Sequence, residues 1–134
     1  MNTKLNFKQI ITAGAMAAGV SVIINSILFF VLKAAGIFTD DIFIQPNQPL
    51  TILPIILSSV MPSLVGASIF FLFEKYSNNG FKIFSIVSIV LMVLSFVNPF
   101  MGIPGVTIAY GVALDLMHVV VALSLLYFIK KAKN

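Results

Sequence analysis

The sequence predicts an all-α fold, a polytopic membrane protein built as a four-helix transmembrane bundle with both termini cytoplasmic. Three observations carry this. Of 134 residues, 60% are hydrophobic and 9% charged, against roughly 45–50% and about 25% in soluble domains. The apolar residues gather into runs near the ~20 residues that a helix needs to cross the hydrocarbon core. The charges sit at the edges of those runs, and the mean hydropathy is +1.11. One domain, 1–134, contains four such segments, at roughly 10–32, 52–73, 81–100 and 106–129.

The first segment, Ile10 to Leu32, follows Lys4 and Lys8 and contains "AGAMAAG". Its apolar stretch exceeds the ~7–15 residues of a signal-peptide core, so it reads as a retained helix. The segment "AAGIFTDDIFIQPNQPLT" comes next. It reads either as a connector with interfacial Ile and Phe, or as a lid lying on the bundle.

The second segment, Ile52 to Phe73, carries Pro54 near its start and Pro62 inside. An internal proline removes a backbone donor and frees the carbonyl four residues earlier, that of Ser58. At membrane depth a freed carbonyl needs a partner or a wet cavity. Either Ser58 or Ser59 repairs it, or the kink opens space. "SNNG" then makes a tight turn in which Gly80 is free to take positive φ.

The third segment runs from Phe81 to Phe100. "NPFMGIPG" follows as a short, stiff link to the fourth, Val106 to Ile129. No repeat or low-complexity tract interrupts the chain.

Lysine placement sets the orientation. All eight basic residues are lysines. Lys4, Lys8, Lys75, Lys82, Lys130, Lys131 and Lys133 fall on one side, which the positive-inside bias makes cytoplasmic. Lys33, Asp40 and Asp41 fall on the other. The expected location is the cell (inner) membrane, multi-pass. The lack of arginine and of clustered bases argues against a nucleic-acid partner. The lack of cysteine excludes disulfides and thiolate metal sites.

Lipid is as apolar as leucine, so membrane helices associate through small and polar residues. Those residues recur at helical spacing here. Segment 1 has Gly14, Ala18, Ser21 and Asn25. Segment 2 has Ser59, Ser63 and Gly66. Segment 3 has Ser88, Met92 and Ser95, with Asn98 near its external end. Segment 4 has Thr107, Gly111, Asp115, His118 and Ala122. These stripes are predicted to face inward, with the first and fourth as neighbours.

At ~1.5 Å per residue, Asp115 lies about 13 Å below the external end and Asn25 about 10 Å below it. His118 lies one turn deeper. Asn98 and Tyr110 belong to the external end, and the inner half is almost purely apolar. A cavity among these groups is expected to open outward and to be closed towards the cytoplasm.

An ionisable group at the centre of a membrane helix costs about 2.5–3.5 kcal/mol on insertion scales and is a functional suspect. Asp115 and His118, spaced i, i+3, are close enough to meet. Histidine is the side-chain type suited to proton exchange near neutral pH, so proton-linked binding is one reading. A helix-to-helix tie through hydrogen bonds is the other. One histidine and one carboxylate fall short of a closed zinc site of four ligands, which only a homodimer supplies by doubling them. Nothing in the chain points to a metal, a cofactor or a catalytic residue: no HExxH and no glycine-rich phosphate loop is present. No lysine lies at membrane depth to carry a retinal-type Schiff base, Lys82 standing at the very start of segment 3, and segment 1 lacks the membrane glutamate of small four-helix multidrug transporters.

The candidate ligand or proton site is therefore Asp115, His118, Asn25, Asn98 and Tyr110. Its expected partners are membrane lipids and a small-molecule ligand, with homo-oligomerisation left open. The alternative is a structural or interaction subunit in which the polar cluster only ties helices together. "AAGVSVIIN" in segment 1, "NPF" after segment 3 and "ALDLMHVVVAL" in segment 4, set in a four-helix layout, resemble an uncharacterised family of small four-helix bacterial integral membrane proteins, a domain of unknown function. The resemblance covers nearly the whole chain. It implies the fold and no activity.

Overall fold

The computed structural model describes residues 3–134. Four helices are long and apolar enough to cross a membrane: Phe7–Ala34, Ile52–Tyr76, Gly80–Gly102 and Ile108–Lys133. The third is interrupted. The element order is α1 (Phe7–Ala34), β1 (Phe43–Gln45), β2 (Gln48–Pro49), α2 (Ile52–Tyr76), α3 (Gly80–Ser95), α4 (Asn98–Gly102) and α5 (Ile108–Lys133). α1 packs against α2 and α5, and α3 closes the far side of the bundle against the same two helices.

The helix ends depart from the apolar runs for identifiable reasons. α1 starts at Phe7 because Asn6 and Gln9 form a capping box. The Gln9 amide donates to Asn6 Oδ1 at 2.8 Å, and the Asn6 amide donates to Gln9 Oε1 at 2.9 Å. Two otherwise orphaned donors are thus satisfied. α5 starts at Ile108, and Thr107 is its N-cap, accepting from the Tyr110 amide at 3.1 Å. Thr107 therefore caps the helix and is not part of an inward stripe.

α3 stops at Ser95, short of Phe100. Pro99 has no N–H to give the Ser95 carbonyl and crowds it. The chain restarts as the single helical turn α4, with the Met101 amide donating to the Val97 carbonyl at 3.2 Å. The expected stiff link is thus partly helical.

The segment between α1 and α2 is folded and lies on the bundle. β1 and β2 pair antiparallel, with Phe43 opposite Pro49 and Gln45 opposite Gln48. Pro46 and Asn47 make the turn, Asn47 in the left-handed region with φ 60°. Proline followed by a residue of positive φ is the chemistry of a type II turn. Asn47→Gly is expected to leave stability unchanged. Asn47→Val is expected to cost about 1–2 kcal/mol, the left-handed penalty of a side chain with no local hydrogen bond to offset it. Thermal unfolding in detergent compares them, and equal midpoints for the two would refute the turn's role.

Phe38, Ile42 and Leu50 anchor this segment by packing with Phe29, Ile55, Tyr110, Ala113 and Met117. The bundle thus has a hairpin end. The opposite, terminal end holds a second apolar cluster that includes Leu5, Ile10, Ala17, Phe70, Phe84, Leu125 and Ile129. Ser21, Asn25, Ser59 and Ser63 are all buried on the facing sides of α1 and α2.

Close helix approach requires glycine at two places in particular. A Cβ on Gly14 would stand 2.7 Å from Ala67 Cβ and 3.2 Å from the Ser63 carbonyl. A Cβ on Gly80 would stand 2.7 Å from the Phe73 carbonyl and 2.8 Å from Glu74 Cα. The positive-φ glycines are Gly36 and Gly105, so Gly80 serves close packing and does not use the positive φ open to it.

Candidate functional site

The buried face of α5 is Tyr110, Gly111, Ala113, Met117, Val121, Leu125 and Ile129. Of the stripe expected to face inward, Gly111 lies on this face, Asp115 is half-buried and His118 is exposed. At 100° per residue Asp115 lies well round the helix from Met117, and His118 lies between the two directions. The buried stripe of α1 (Gly14, Ala18, Ser21, Asn25) meets α2 at Ala67 and Ser59, and the expected pairing of the first and fourth segments also forms, through Met117 and not through Asp115. Asn25 reaches both helices. Its Nδ2 donates to Ser59 Oγ at 3.0 Å and to the Met117 carbonyl at 3.3 Å. Ser59 Oγ in turn donates to the Ile55 carbonyl at 2.8 Å. Asn25 Oδ1 and Ser21 Oγ are buried with no hydrogen-bond partner.

Beside Asn25 lies a cavity of ≈ 380 Å³ whose polar lining is Asn25, Ser58, Ser59, Asn98 and His118. Ile44 and Leu50 of the hairpin segment also line it, which makes that segment part of the site and not a bare connector. α4 brings Asn98, Pro99 and Gly102 to the same wall. The break at Pro99 thus supplies a polar side chain that an unbroken helix would place elsewhere. Among the described residues no lysine and no carboxylate lines this cavity.

Of the five candidate residues, the structure brings Asn25, Asn98 and His118 to one cavity. Asp115 and Tyr110 do not line it. Asp115 is half-buried on the neighbouring flank of α5, with Oδ1 buried and unpartnered. It makes no ion pair with His118; among the described residues the ion pairs are Lys33–Asp40 at 3.9 Å and Lys133–Glu74 at 2.5 Å. Tyr110 is fully buried and packs edge-on against Phe38 with ring centroids 4.9 Å apart. It anchors the hairpin segment, and its hydroxyl has no partner.

Two features escaped the sequence reading. The inner half of the bundle is not solid: a second cavity of ≈ 300 Å³ runs between α2, α3 and α5 as far as Phe73 and Phe84. It exists because α3 buries only Gly80 and Phe84. Glu74 is the other. It is 2% exposed at the terminal end of α2, where its Oε1 accepts from the Leu5 amide at 3.1 Å and from Lys133 Nζ. Lys4 Nζ donates to the Lys75 carbonyl at 3.1 Å beside it. A carboxylate in the last turn of a helix opposes the helix dipole. That was the available signal that Glu74 has specific partners.

Fold and site together define a polytopic four-helix membrane protein whose buried polar residues adjoin a cavity at the hairpin end. Residues 6–134 match a family of unknown function, DUF6069, and the chain belongs to that family. No curated protein and no solved structure matches the chain.

Proposed function

We propose that this protein binds a small molecule in the hairpin-end cavity, held by Asn25, Ser58, Asn98 and His118, with the hairpin end facing outward. One observation carries the reading. Asn25 belongs to the cavity wall and is 2% exposed, yet its Oδ1 lacks a donor. A buried acceptor without a partner costs about 1–3 kcal/mol, which a ligand that donates to it would recover. The lysine bias supports the orientation. Lys4, Lys75 and Lys133 meet at the terminal end, around Glu74, and the bias makes that end cytoplasmic.

The second reading, a structural or interaction subunit, also has its observation. Asn25 already joins α1 to α2 and α5 by two hydrogen bonds. Asn98 and His118 have no such part in the packing, so they separate the readings. Asn98→Leu and His118→Leu are expected to keep the wild-type unfolding midpoint in detergent while losing a co-purifying small molecule seen by native mass spectrometry. Variants that lose stability, with no bound mass on the wild type, would favour the structural reading.

The chain has no cysteine of its own, so single-cysteine variants report access directly. Asn98→Cys and His118→Cys are expected to react with a membrane-impermeant maleimide added outside, and Lys82→Cys only with reagent added inside. Equal labelling of His118→Cys from inside would overturn the outward opening.

A further inference from the structure

The two cavities meet. Ser58, His118 and Val121 line both. The first is polar and sits at the hairpin end. The second has an apolar wall that includes Pro62, Gly66, Phe84, Leu91 and Leu125, with no lysine or carboxylate. Its α3 side is loosely held: Ile86, Val87, Val90 and Leu91 are exposed, so the cleft borders the bilayer.

At the junction, Pro62 leaves the Ser58 carbonyl without its helical donor. The hydroxyls of Ser59 and Ser63 do not repair this; they go to the Ile55 and Ser59 carbonyls, each at 2.8 Å. One buried acceptor, Asn25 Oδ1, therefore calls for a donor from a ligand, and the Ser58 carbonyl of the same lining lacks its ordinary amide donor. Among the described residues no lysine lines either cavity to hold a phosphate or a carboxylate.

We infer that the occupant is an uncharged single-chain lipid bearing hydroxyl groups. Its polar end lies among Asn25, Asn98 and His118, and its chain threads past Ser58 and His118 into the cleft between α2, α3 and α5. This rests on the reading of the hairpin-end cavity as a binding site. The hydroxyls donate to Asn25 Oδ1 and the Ser58 carbonyl. The chain replaces the bilayer contacts it leaves with those of the cleft, so the polar end supplies the selectivity. In lipid the chain itself gains little by moving.

The test uses the full chain in nanodiscs and a monoacylglycerol with a diazirine at the chain end. Photolabelling is expected on cleft residues such as Leu91, Met92 and Leu125, and unlabelled monoacylglycerol should compete it away. Ser88→Phe and Ala122→Leu add bulk to the cleft from two different helices, and Ser88 lies on the loosely packed α3. Each is expected to reduce cleft labelling at least about tenfold, a steric effect of ~1.4 kcal/mol, without shifting the unfolding midpoint. Competed labelling confined to the hairpin-end cavity, unchanged by either variant, would overturn the chain placement and leave the cavity reading standing. Labelling that unlabelled monoacylglycerol does not compete would overturn this lipid class. If Asn98→Leu and His118→Leu then also retain every co-purifying mass, the cavity reading falls with it.

Discussion

Lys133→Met is expected to lower stability by about 3 kcal/mol, the cost of leaving one partner of a buried ion pair unpaired. The Glu74 side chain is 3% exposed and Lys133 is its cationic partner. With the lysine gone, the carboxylate keeps only the Leu5 amide as a donor. Glu74→Gln should cost less, about 1–2 kcal/mol. Glutamine still accepts from Leu5, and the freed Lys133, in the last turn of α5, can turn its ammonium into water. The asymmetry is the diagnostic result. Unfolding in mixed micelles, followed by circular dichroism, measures both variants and the pair. Equal and small losses would show that Glu74 is hydrated and that the terminal end is held by apolar packing alone.

Gly14→Leu is expected to separate α1 from α2 and to prevent native packing. Even Gly14→Ala should cost about 1–3 kcal/mol, the usual effect of overpacking. The obstacle is Ala67 Cβ and the Ser63 carbonyl, at 2.7 and 3.2 Å, neither of which can rotate away. Gly111 makes the control. A Cβ there meets the Phe100 ring, the mobile end of a side chain that is 40% exposed. Gly111→Ala should therefore be tolerated, its cost below about 1 kcal/mol. Unfolding midpoints in detergent compare the two. If Gly111→Ala proves the worse, the α1–α2 contact is not what organises the bundle. Because Asn25 donates to Ser59 across that same interface, loosening it should also loosen the cavity wall.

Much of the architecture was legible beforehand, and the misses have physical causes. Apolar runs mark the four spans because burying side chains in lipid is a property of each segment alone. Their ends were misplaced where polar residues decide them: the Asn6–Gln9 box and the Lys130–Lys133 turn extend helices and the Thr107 cap delays one, none of which a hydropathy count registers. The hairpin was missed because its strands are three and two residues long. Only Pro46-Asn47 hinted at it. Of the site, Asn25, Asn98 and His118 were named and share a cavity. Asp115 and Tyr110 were named and lie apart from it, while Ser58 entered only through the carbonyl that Pro62 releases.

The sequence by itself determined that this chain crosses a membrane, roughly where it does so, and which end of the bundle gathers the lysines. These follow from composition and local backbone satisfaction, which need no knowledge of neighbours. Only the tertiary structure decided which polar residues meet. Lipid solvates every apolar face equally well, so hydropathy does not specify how far a membrane helix is turned about its axis. That turn is set by particular contacts: Gly14 on Ala67, Gly80 on Phe73 and, for α5, Gly66 against Leu125 with Asn25 on the Met117 carbonyl. In α5 they place Met117 in the core, His118 on the seam between two cavities, and Asp115 on the flank beyond it.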